Sequence, residues 1–455
     1  MTLVEGVRGF WKDLCDVRLC IIKVIYFTLL AGVVILWPQF TIHQQELGLT
    51  KRQTGICSSV ISAVTILVPL VAGVVGDKLG NYKIVMSMSM VVAAITTFLF
   101  TVVPSAKTTD GTDFMNETAT TFEIDPERQM VTFWSYLAVR VTFGMFQAVG
   151  YTQFEAVVMA HMQEKGIDYG FQRAWGTLAV VISSFLSGYI VEVTGSFSMI
   201  FYISAALHFV TAALMLLLNM NFKLPTQFLT QEILRQLCNS EVIMFLATIL
   251  AAGMFIGYLE TFMYRFLFDL GASKVLIGLT VTVGAPFELV FNIITSYFVG
   301  LVGHPPLIAV GLFAYAVRLI GYSLLMDPWW ALPLEVLESV ANGLLFTAAI
   351  MYCTVLFSIE SIASFRGVFG VMYFGVGKLL GTTIGSEIRE LLGDRITFRV
   401  LAAAALLCSV AYCLALLILR RHRAKTLKLI PCPPDSIQQA AIHGIDNRAW
   451  EGGSE

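Results

Sequence analysis

The sequence predicts an all-α polytopic membrane protein whose twelve transmembrane helices form two pseudo-symmetric six-helix bundles. Three observations lead to this fold class. The 455 residues are 57% hydrophobic and only 13% charged, whereas about a quarter of the residues in a soluble domain are charged. Twelve stretches reach the length of about 20 largely apolar residues that a helix needs to cross a bilayer. A polar segment at residues 219–241 leaves six of these stretches on each side.

The predicted spans follow one another closely, and only the fourth and tenth are long enough to require tilt or an extension beyond the bilayer. In chain order they cover 19–41, 54–76, 84–104, 131–161, 171–191, 197–218, 243–264, 275–298, 306–326, 332–358, 367–388 and 397–419. The corresponding domains are a segment 1–18, a first bundle 19–218 with an external loop at 105–130, a linker 219–241, a second bundle 242–419 and a tail 420–455.

Lysine and arginine determine the predicted orientation. When both termini are placed in the cytoplasm, these residues are more frequent in the inner segments than in the outer loops, as the positive-inside rule requires. The same orientation places Asn116-Glu117-Thr118 outside, where Asn116 is a candidate for N-glycosylation. We therefore expect a multi-pass glycoprotein, with the plasma membrane favoured over endomembranes.

Composition and motifs argue against several other classes of protein. The net charge of −2 gives no reason to expect a nucleic-acid partner. The eight cysteines are scattered, with no CxxC pair and no zinc spacing. The sequence shows no phosphate-binding loop and no pairing of a nucleophile with a base. We therefore expect a monomer that is not an enzyme, with no cofactor and no metal.

A charged motif follows the second span on the predicted cytoplasmic side. It reads Gly73-x-x-x-Asp77-Lys78-x-Gly80-x-x-Lys83. Gly80 can adopt backbone conformations that are closed to other residues, and Asp77 can cap a helix or pair with a basic group. These properties suit a loop that gates a conformational change, although an ordinary charged turn is the alternative. The pattern resembles the cytoplasmic signature of the major facilitator superfamily.

Further stretches narrow the resemblance within this superfamily. Leu137-x-x-Arg140-x-x-x-Gly144 in the fourth span resembles the pattern of its proton-coupled members, in which the arginine faces a proton route. Arg140 could instead extend to the lipid headgroups. Residues 168–176, 255–273 and 337–354 resemble the animal family named major facilitator superfamily domain-containing protein 6, which is akin to the lactose permease type of proton symporter. The resemblance implies alternating-access transport of a small polar solute with protons, in a lipid bilayer.

Several charged residues lie within the predicted spans. Arg318, in the ninth span, would cost about 2.5–3.5 kcal/mol at the centre of a bilayer unless it faces a partner or a water-filled cavity. Glu335 and Glu338 lie one turn apart near the outer end of the tenth span, and Lys378 lies within the eleventh. A rise of 1.5 Å per residue places these charges at similar depths. We expect them to neutralise one another around a shared polar cavity, or to serve only as structural counter-ions.

The resemblance to lactose permease implies roles for these charges. Arg318 and Lys378 match basic residues of that permease, Glu338 takes the position of its coupling histidine, and Glu335 that of a lysine. We accordingly assign Arg140, Arg318, Glu335 and Glu338 to proton coupling, and Lys378 to substrate binding.

The same resemblance implies a substrate site in the middle of the chain. Glu155 and Arg173 match the carboxylate and guanidinium that grip sugar hydroxyls in the permease. Glu288 lies one turn after Ala285, which stands where the permease has an essential acid, and Val180 replaces its stacking tryptophan. These two replacements argue against a galactoside. A receptor or scaffold that retains the transporter fold, or an uncoupled uniporter, is the alternative function.

Overall fold

A computed structural model of the chain describes residues 17–79, 82–109, 122–165, 169–218, 240–356 and 368–429. Asn116, Gly80 and most of the predicted linker lie outside these ranges. Gly73, Asp77 and Lys78 lie in the last two turns of one helix, and Lys83 lies in the first turn of the next.

Helices occupy nearly all of the described part of every predicted span, because each span is an apolar run long enough to satisfy its own backbone hydrogen bonds. They are α1 (Val17–Val34), α2 (Phe40–Glu46), α3 (Lys51–Leu79), α4 (Tyr82–Leu99), α5 (Pro126–Lys165), α6 (Tyr169–Thr194), α7 (Ser198–Leu217), α8 (Ser240–Asp269), α9 (Lys274–Val302), α10 (His304–Leu324), α11 (Ala331–Glu338), α12 (Thr347–Leu356), α13 (Lys378–Leu392) and α14 (Asp394–Leu429). Two π-helical segments, Ser339–Phe346 and Val371–Gly377, continue α11 into α12 and lead into α13.

The chain is a helical multi-pass membrane protein. Among the described residues, ten helical segments are long and apolar enough to cross a membrane. They coincide with ten of the predicted spans. The second and fourth predicted spans form the long helices α3 and α5 but are not among those ten. The full count of twelve spans therefore stays a prediction.

Two helices extend beyond the predicted membrane spans, whose limits stay predictions. The external loop contains a short antiparallel hairpin, in which β1 (Lys107–Thr109) pairs with β2 (Phe122–Ile124), and α5 already begins at Pro126. At the other end of the chain, α14 continues to Leu429, beyond the predicted limit at residue 419, because Leu, Ala, Lys and Arg are strong helix formers. Residues Met1–Val410 and Ala411–Glu455 form separate units, and the contacts described below belong to the first.

The first half of the chain is held together by apolar packing and by small polar side chains. Tyr26 of α1 meets Phe154 of α5 edge to face, with 4.9 Å between the ring centroids. The hydroxyl of Thr211 donates to that of Thr28 at 2.8 Å, and a ring nitrogen of His208 lies 2.9 Å from the side-chain oxygen of Gln147. Interhelical hydrogen bonds of this kind contribute to stability in membranes, where lipid removes the hydrophobic drive between helices.

The two halves of the chain meet along the outer parts of two helix pairs, α6 with α9 and α3 with α13. The hydroxyls of Ser184 and Thr282 lie 2.7 Å apart, and those of Ser59 and Thr382 lie 2.9 Å apart. These contacts lie towards the end of the helices that the charge pattern predicts to be external. We call this the outer end.

Ion pairs between the two halves accumulate at the outer end itself. Lys51, at the start of α3, pairs with Asp269 at 3.0 Å and with Asp394 at 2.9 Å. Lys274, at the start of α9, pairs with Glu46 at 2.6 Å. Because each pair joins residues from opposite halves of the chain, separating the halves at this end requires all of them to break.

Glycine makes the approach of α6 to α9 possible. A Cβ atom added at Gly278 would collide with the backbone oxygen of Ser184, and one added at Gly188 would collide with that of Lys274. Backbone atoms cannot swing aside as a flexible side chain can, so a larger residue at either position would push the helices apart.

We expect Gly278→Val to destabilise the protein by about 1–3 kcal/mol, the usual cost of overpacking a tight contact. Thermal unfolding of the purified protein in detergent would measure the effect. Gly300→Val is the matched control, because Gly300 lies on the same helix with no heavy atom within 4 Å of an added Cβ. Equal melting temperatures for the two variants would contradict the close approach.

Candidate functional site

Arg318 lies on a helix face that the spacing of its neighbours defines. Tyr315, Arg318 and Tyr322 occur three and four residues apart on α10, so they share one face, and all three are buried. This face packs against α11, which carries the two glutamates, and against the π-helical segment that follows α11. The side chain of Arg318 is only 1% exposed, so its charge must be balanced from within the protein.

The balance comes from both glutamates of α11. Arg318 Nη2 donates to Glu335 Oε1 at 3.0 Å and Oε2 at 3.1 Å, and to Glu338 Oε2 at 2.7 Å. The hydroxyl of Tyr322 also donates to Glu335. The expectation from sequence that Arg318 meets Glu335 and Glu338 therefore agrees with the geometry, and these charges form what we call the arginine cluster.

The arginine cluster holds one more carboxyl group than it has cations. The carboxyls of Glu335 and Glu338 both accept a hydrogen bond from Nη2 of Arg318, and one guanidinium charge cannot neutralise two ionised carboxylates. Their environments differ, since the side chain of Glu335 is 2% exposed and that of Glu338 is 26% exposed. Glu338 is therefore the more accessible of the two carboxyls.

An uncharged network extends the arginine cluster to a third helix. Asn342 Nδ2 donates to Glu338 Oε1 at 3.1 Å. The hydroxyls of Tyr315 and Tyr373 both donate to Asn342 Oδ1, at 2.5 and 2.8 Å. Asn342 and Tyr373 lie in the two π-helical segments, which interrupt regular helix geometry and are frequent at functional sites. Sequence reasoning missed this network, because uncharged side chains in a span carry no evident cost.

Lys378 is paired with a residue that the sequence analysis did not choose. Its Nζ lies 2.5 Å from Oε2 of Glu260 on α8, and both side chains are largely buried, at 15% and 23% exposed. The expectation that Lys378 is neutralised by the glutamates of the tenth span is therefore wrong. The aromatic rings of Phe374 and Trp37 lie 5.2 and 5.8 Å from the same nitrogen, within the range of cation–π attraction.

The other predicted substrate residues lie on helices of both halves. Glu288 on α9 and Arg173 on α6 are exposed, and Glu155 on α5 is half-buried. The charges of Glu338, Arg173 and Glu260 all act on Glu288. The electrostatic environment of Glu288 thus includes a carboxyl of the arginine cluster, the glutamate that pairs with Lys378, and an arginine from the first half of the chain.

Arg140 lies apart from these charges. Its guanidinium carbon lies 3.7 Å from the centre of the Phe40 ring and 5.8 Å from that of Phe143, a geometry of cation–π contact. The structure thus shows an aromatic setting for Arg140, and its predicted place in a proton route stays a prediction.

Removal of one partner tests the arginine cluster. We expect Arg318→Met to destabilise the protein by about 3–5 kcal/mol, because it leaves Glu335 buried without a cation. Arg318→Met combined with Glu335→Gln should recover much of that loss. Arg52→Gln is the control, since its ion pairs with Glu387 and Glu390 involve exposed side chains and should change stability by about 0–1 kcal/mol.

Unfolding monitored by intrinsic fluorescence would compare these variants. Equal losses in the single and double variants would mean that Arg318 is not held by its carboxylates.

Comparisons with known proteins concern the family of the chain and its fold. The model of the MFS_1 like family matches residues 19–400. Major facilitator superfamily domain-containing protein 6-like protein A of Xenopus laevis is 27% identical over 89 residues, 20% of this chain and 15% of that protein. Major facilitator superfamily domain-containing protein 6-like of Homo sapiens is 23% identical over 153 residues, 32% of this chain and 25% of that protein. The matches thus span a quarter or less of these relatives.

Solved transporters share the fold over most of their length. The nucleoside transporter NupG aligns with a TM-score of 0.66 and 18% identity over 86% of this chain and 97% of that one. A POT family transporter in complex with a thioalcohol conjugated peptide aligns with a TM-score of 0.65 and 12% identity, over 87% of this chain and 95% of that one. A bacterial homolog of the human lysosomal transporter Spinster, in an inward-facing and occupied conformation, aligns with a TM-score of 0.62 and 13% identity. The alignment covers 88% of this chain and 96% of that one.

Proposed function

Because the chain belongs to the MFS_1 like family, we propose that it is a secondary transporter that moves a small polar solute by alternating access, in symport with protons. The observation that carries this proposal is the arginine cluster, in which a fully buried arginine faces two carboxyls within the membrane-spanning region. Ionisable groups at such positions are costly, and they commonly mark ion and proton pathways.

The excess carboxyl gives the cluster a reason to bind a proton. With both glutamates ionised, the cluster has a net charge of −1, and one proton makes it neutral. Glu335 is held by Arg318 and Tyr322, whereas Glu338 is partly accessible. A proton arriving at Glu338 weakens its attraction for Arg318, which remains paired with Glu335. Glu338 is therefore the proposed proton carrier, and Glu335 keeps the arginine in place.

A change at Glu338 has a direct mechanical route to neighbouring helices. Asn342 accepts hydrogen bonds from tyrosines of α10 and the eleventh span while donating to Glu338. Protonation of Glu338 alters the acceptor that Asn342 faces, and so the network that joins the two π-helical segments. These segments can absorb a change of register more easily than a regular helix, since their hydrogen bonds already depart from the i to i+4 pattern.

The solute is proposed to bind between the two halves of the chain. Arg173 belongs to the first half and Glu288 to the second, and their charges act on each other. Lys378, Glu260 and Glu155 would supply further polar contacts. A solute held by both halves responds to their relative movement, which is the requirement of alternating access.

The contacts at the outer end suit a state that must open again. Lys51 is exposed in its pairs with Asp269 and Asp394, at 44%, whereas the pair of Lys274 with Glu46 is partly buried. Exposed ion pairs contribute about 0.2–1 kcal/mol each, so the pairs of Lys51 favour closure without making it permanent. In the proposed orientation, with both termini cytoplasmic and the protein in the plasma membrane, entry of an external solute begins with the separation of these pairs.

We expect Glu338→Gln to abolish proton movement with the solute. The purified protein would be reconstituted in liposomes with an inward proton gradient and an internal pH dye, and a panel of solutes would be supplied outside. Wild type should acidify the interior only with its solute. Glu387→Gln, which changes an exposed outer carboxylate (57% exposed), should behave as wild type.

The outcomes of this experiment separate the alternatives. Solute-dependent acidification that persists in Glu338→Gln would contradict the role of the arginine cluster. Solute entry without acidification in wild type would indicate a uniporter. If a broad panel produced no entry at all, a receptor or scaffold would become the better explanation.

A second prediction concerns affinity. Glu288→Gln and Arg173→Gln should each raise the half-saturating solute concentration about tenfold or more, because a hydrogen bond to a charged group contributes about 1.5–3 kcal/mol. The number of protons moved per solute should not change. Tracer uptake across a range of solute concentrations, with parallel pH recording, would measure both quantities. A changed proton ratio with unchanged affinity would place these residues in coupling instead.

A further inference from the structure

A second group of buried charges lies at the outer end, apart from the arginine cluster. Arg265 on α8 and Arg389 on α13 are only 6% and 4% exposed. The guanidinium carbon of Arg389 lies 4.7 Å from the centre of the Phe262 ring, and Phe262 is one helical turn before Arg265, on the same face. The positive charges of the two arginines act on each other. We call them the outer arginine pair.

The outer arginine pair has donors that the protein does not use. Nη1 and Nη2 of Arg389 and Nε of Arg265 are buried, with no hydrogen-bond partner among the residues that the structure describes. Arg389 does donate from Nε to Asp394, and Arg265 donates from Nη1 to the carbonyl of Leu49 at 3.4 Å and to the hydroxyl of Thr54 at 3.1 Å. Leaving buried charged donors unpaired is costly.

The local charge is also unbalanced. The group and the cavity beside it contain four cations, Arg265, Arg389, Lys51 and Arg395, and two carboxylates, Asp269 and Asp394, which both pair with Lys51. Asp394 also forms an ion pair with Arg389. Within the described ranges, the structure gives Arg265 no ion pair. A bound monovalent anion would reduce this excess of positive charge.

We propose that a small monovalent inorganic anion binds at the outer arginine pair, held by the unused guanidinium groups of Arg389 and Arg265. Guanidinium groups are less strongly hydrated than ammonium groups, which makes them suited to buried anion contacts. The site lies away from the proposed solute site, and its existence does not depend on transport.

The surroundings supply a way in for the ion. A cavity of about 430 Å³ lies at the outer end and is lined in part by Lys51, Asp269, Asp394 and Arg395. Asp394, which bonds Arg389, forms part of its wall, so Arg389 lies one side chain behind it. An anion can thus reach the outer arginine pair from the cavity when the surrounding side chains move.

The bound anion would connect the two halves of the chain. Arg265 already bonds Leu49 and Thr54, which precede and begin α3 of the first half. By neutralising the repulsion between Arg265 and Arg389, the anion stabilises the arrangement in which these contacts form. It therefore favours closure of the outer end, and its concentration outside would influence how readily that end opens.

The test is thermal unfolding of the full-length protein in nanodiscs, with potassium gluconate replaced stepwise by potassium chloride at constant ionic strength. Wild type should show a saturable rise in melting temperature of roughly 2–4 °C. Arg265→Gln should lose this rise, and in gluconate it should be at least as stable as wild type, because the change strands no carboxylate. Arg395→Gln, a cation of the same cavity that bonds the carbonyl of Leu325, should retain the full response.

A direct measurement keeps the proposal testable if Arg265→Gln does not fold. Binding of radioactive chloride to wild type, displaced by unlabelled chloride and not by gluconate, should approach one ion per chain. Absence of displaceable binding would overturn the proposal and leave water as the partner of these donors. A chloride response of equal size in wild type and Arg265→Gln would overturn it too.

Discussion

The pairing of Arg318 with Glu335 is the interaction on which the second half of the structure depends. A buried guanidinium cannot lose its proton and cannot be left without a counter-charge, so α10 and α11 must be held at one relative depth. That constraint fixes the face of α10 that carries Tyr315 and Tyr322. It also brings Glu338 to the same nitrogen that Glu335 contacts. The arrangement has one carboxyl too many for its cation, so one proton would balance the charge of the site.

Packing in the rest of the molecule follows from the weakness of apolar attraction between helices in lipid. Where the two halves meet, α6 and α9 are joined by glycines and by the hydroxyls of Ser184 and Thr282. Small residues allow backbones to approach closely, and hydroxyls supply bonds of modest strength. Exposed and partly buried ion pairs then complete the contact at the outer end. A boundary of this kind can close with a defined geometry and still separate, which a large apolar core could not do.

The sequence predicted features that leave a strong energetic signal and missed those that do not. Apolar length located the helices, and the cost of charge in a bilayer led from Arg318 to Glu335 and Glu338. Depth alone could not tell which carboxylate faces Lys378, because the rotation of each helix about its axis is absent from a hydropathy pattern. The π-helical segments displace the helical register in a way that periodicity does not reveal. A neutral amide such as that of Asn342 can join several helices by hydrogen bonds and costs little to place in a membrane span. Because that cost is small, no signal in the sequence pointed to Asn342.

The two buried clusters of the second half have opposite imbalances of charge, which is a physical reason for their separation. The arginine cluster has an excess carboxyl, and the proposed proton would neutralise it. The outer arginine pair has an excess of cations and attracts an anion. Each imbalance is costly if left alone in a medium of low dielectric constant, so each cluster is most stable when solution supplies its missing charge. The conformational balance of this half therefore depends on the composition of the solutions that its ends contact. A fold with fully paired charges would be stable under all conditions but could not respond to any of them.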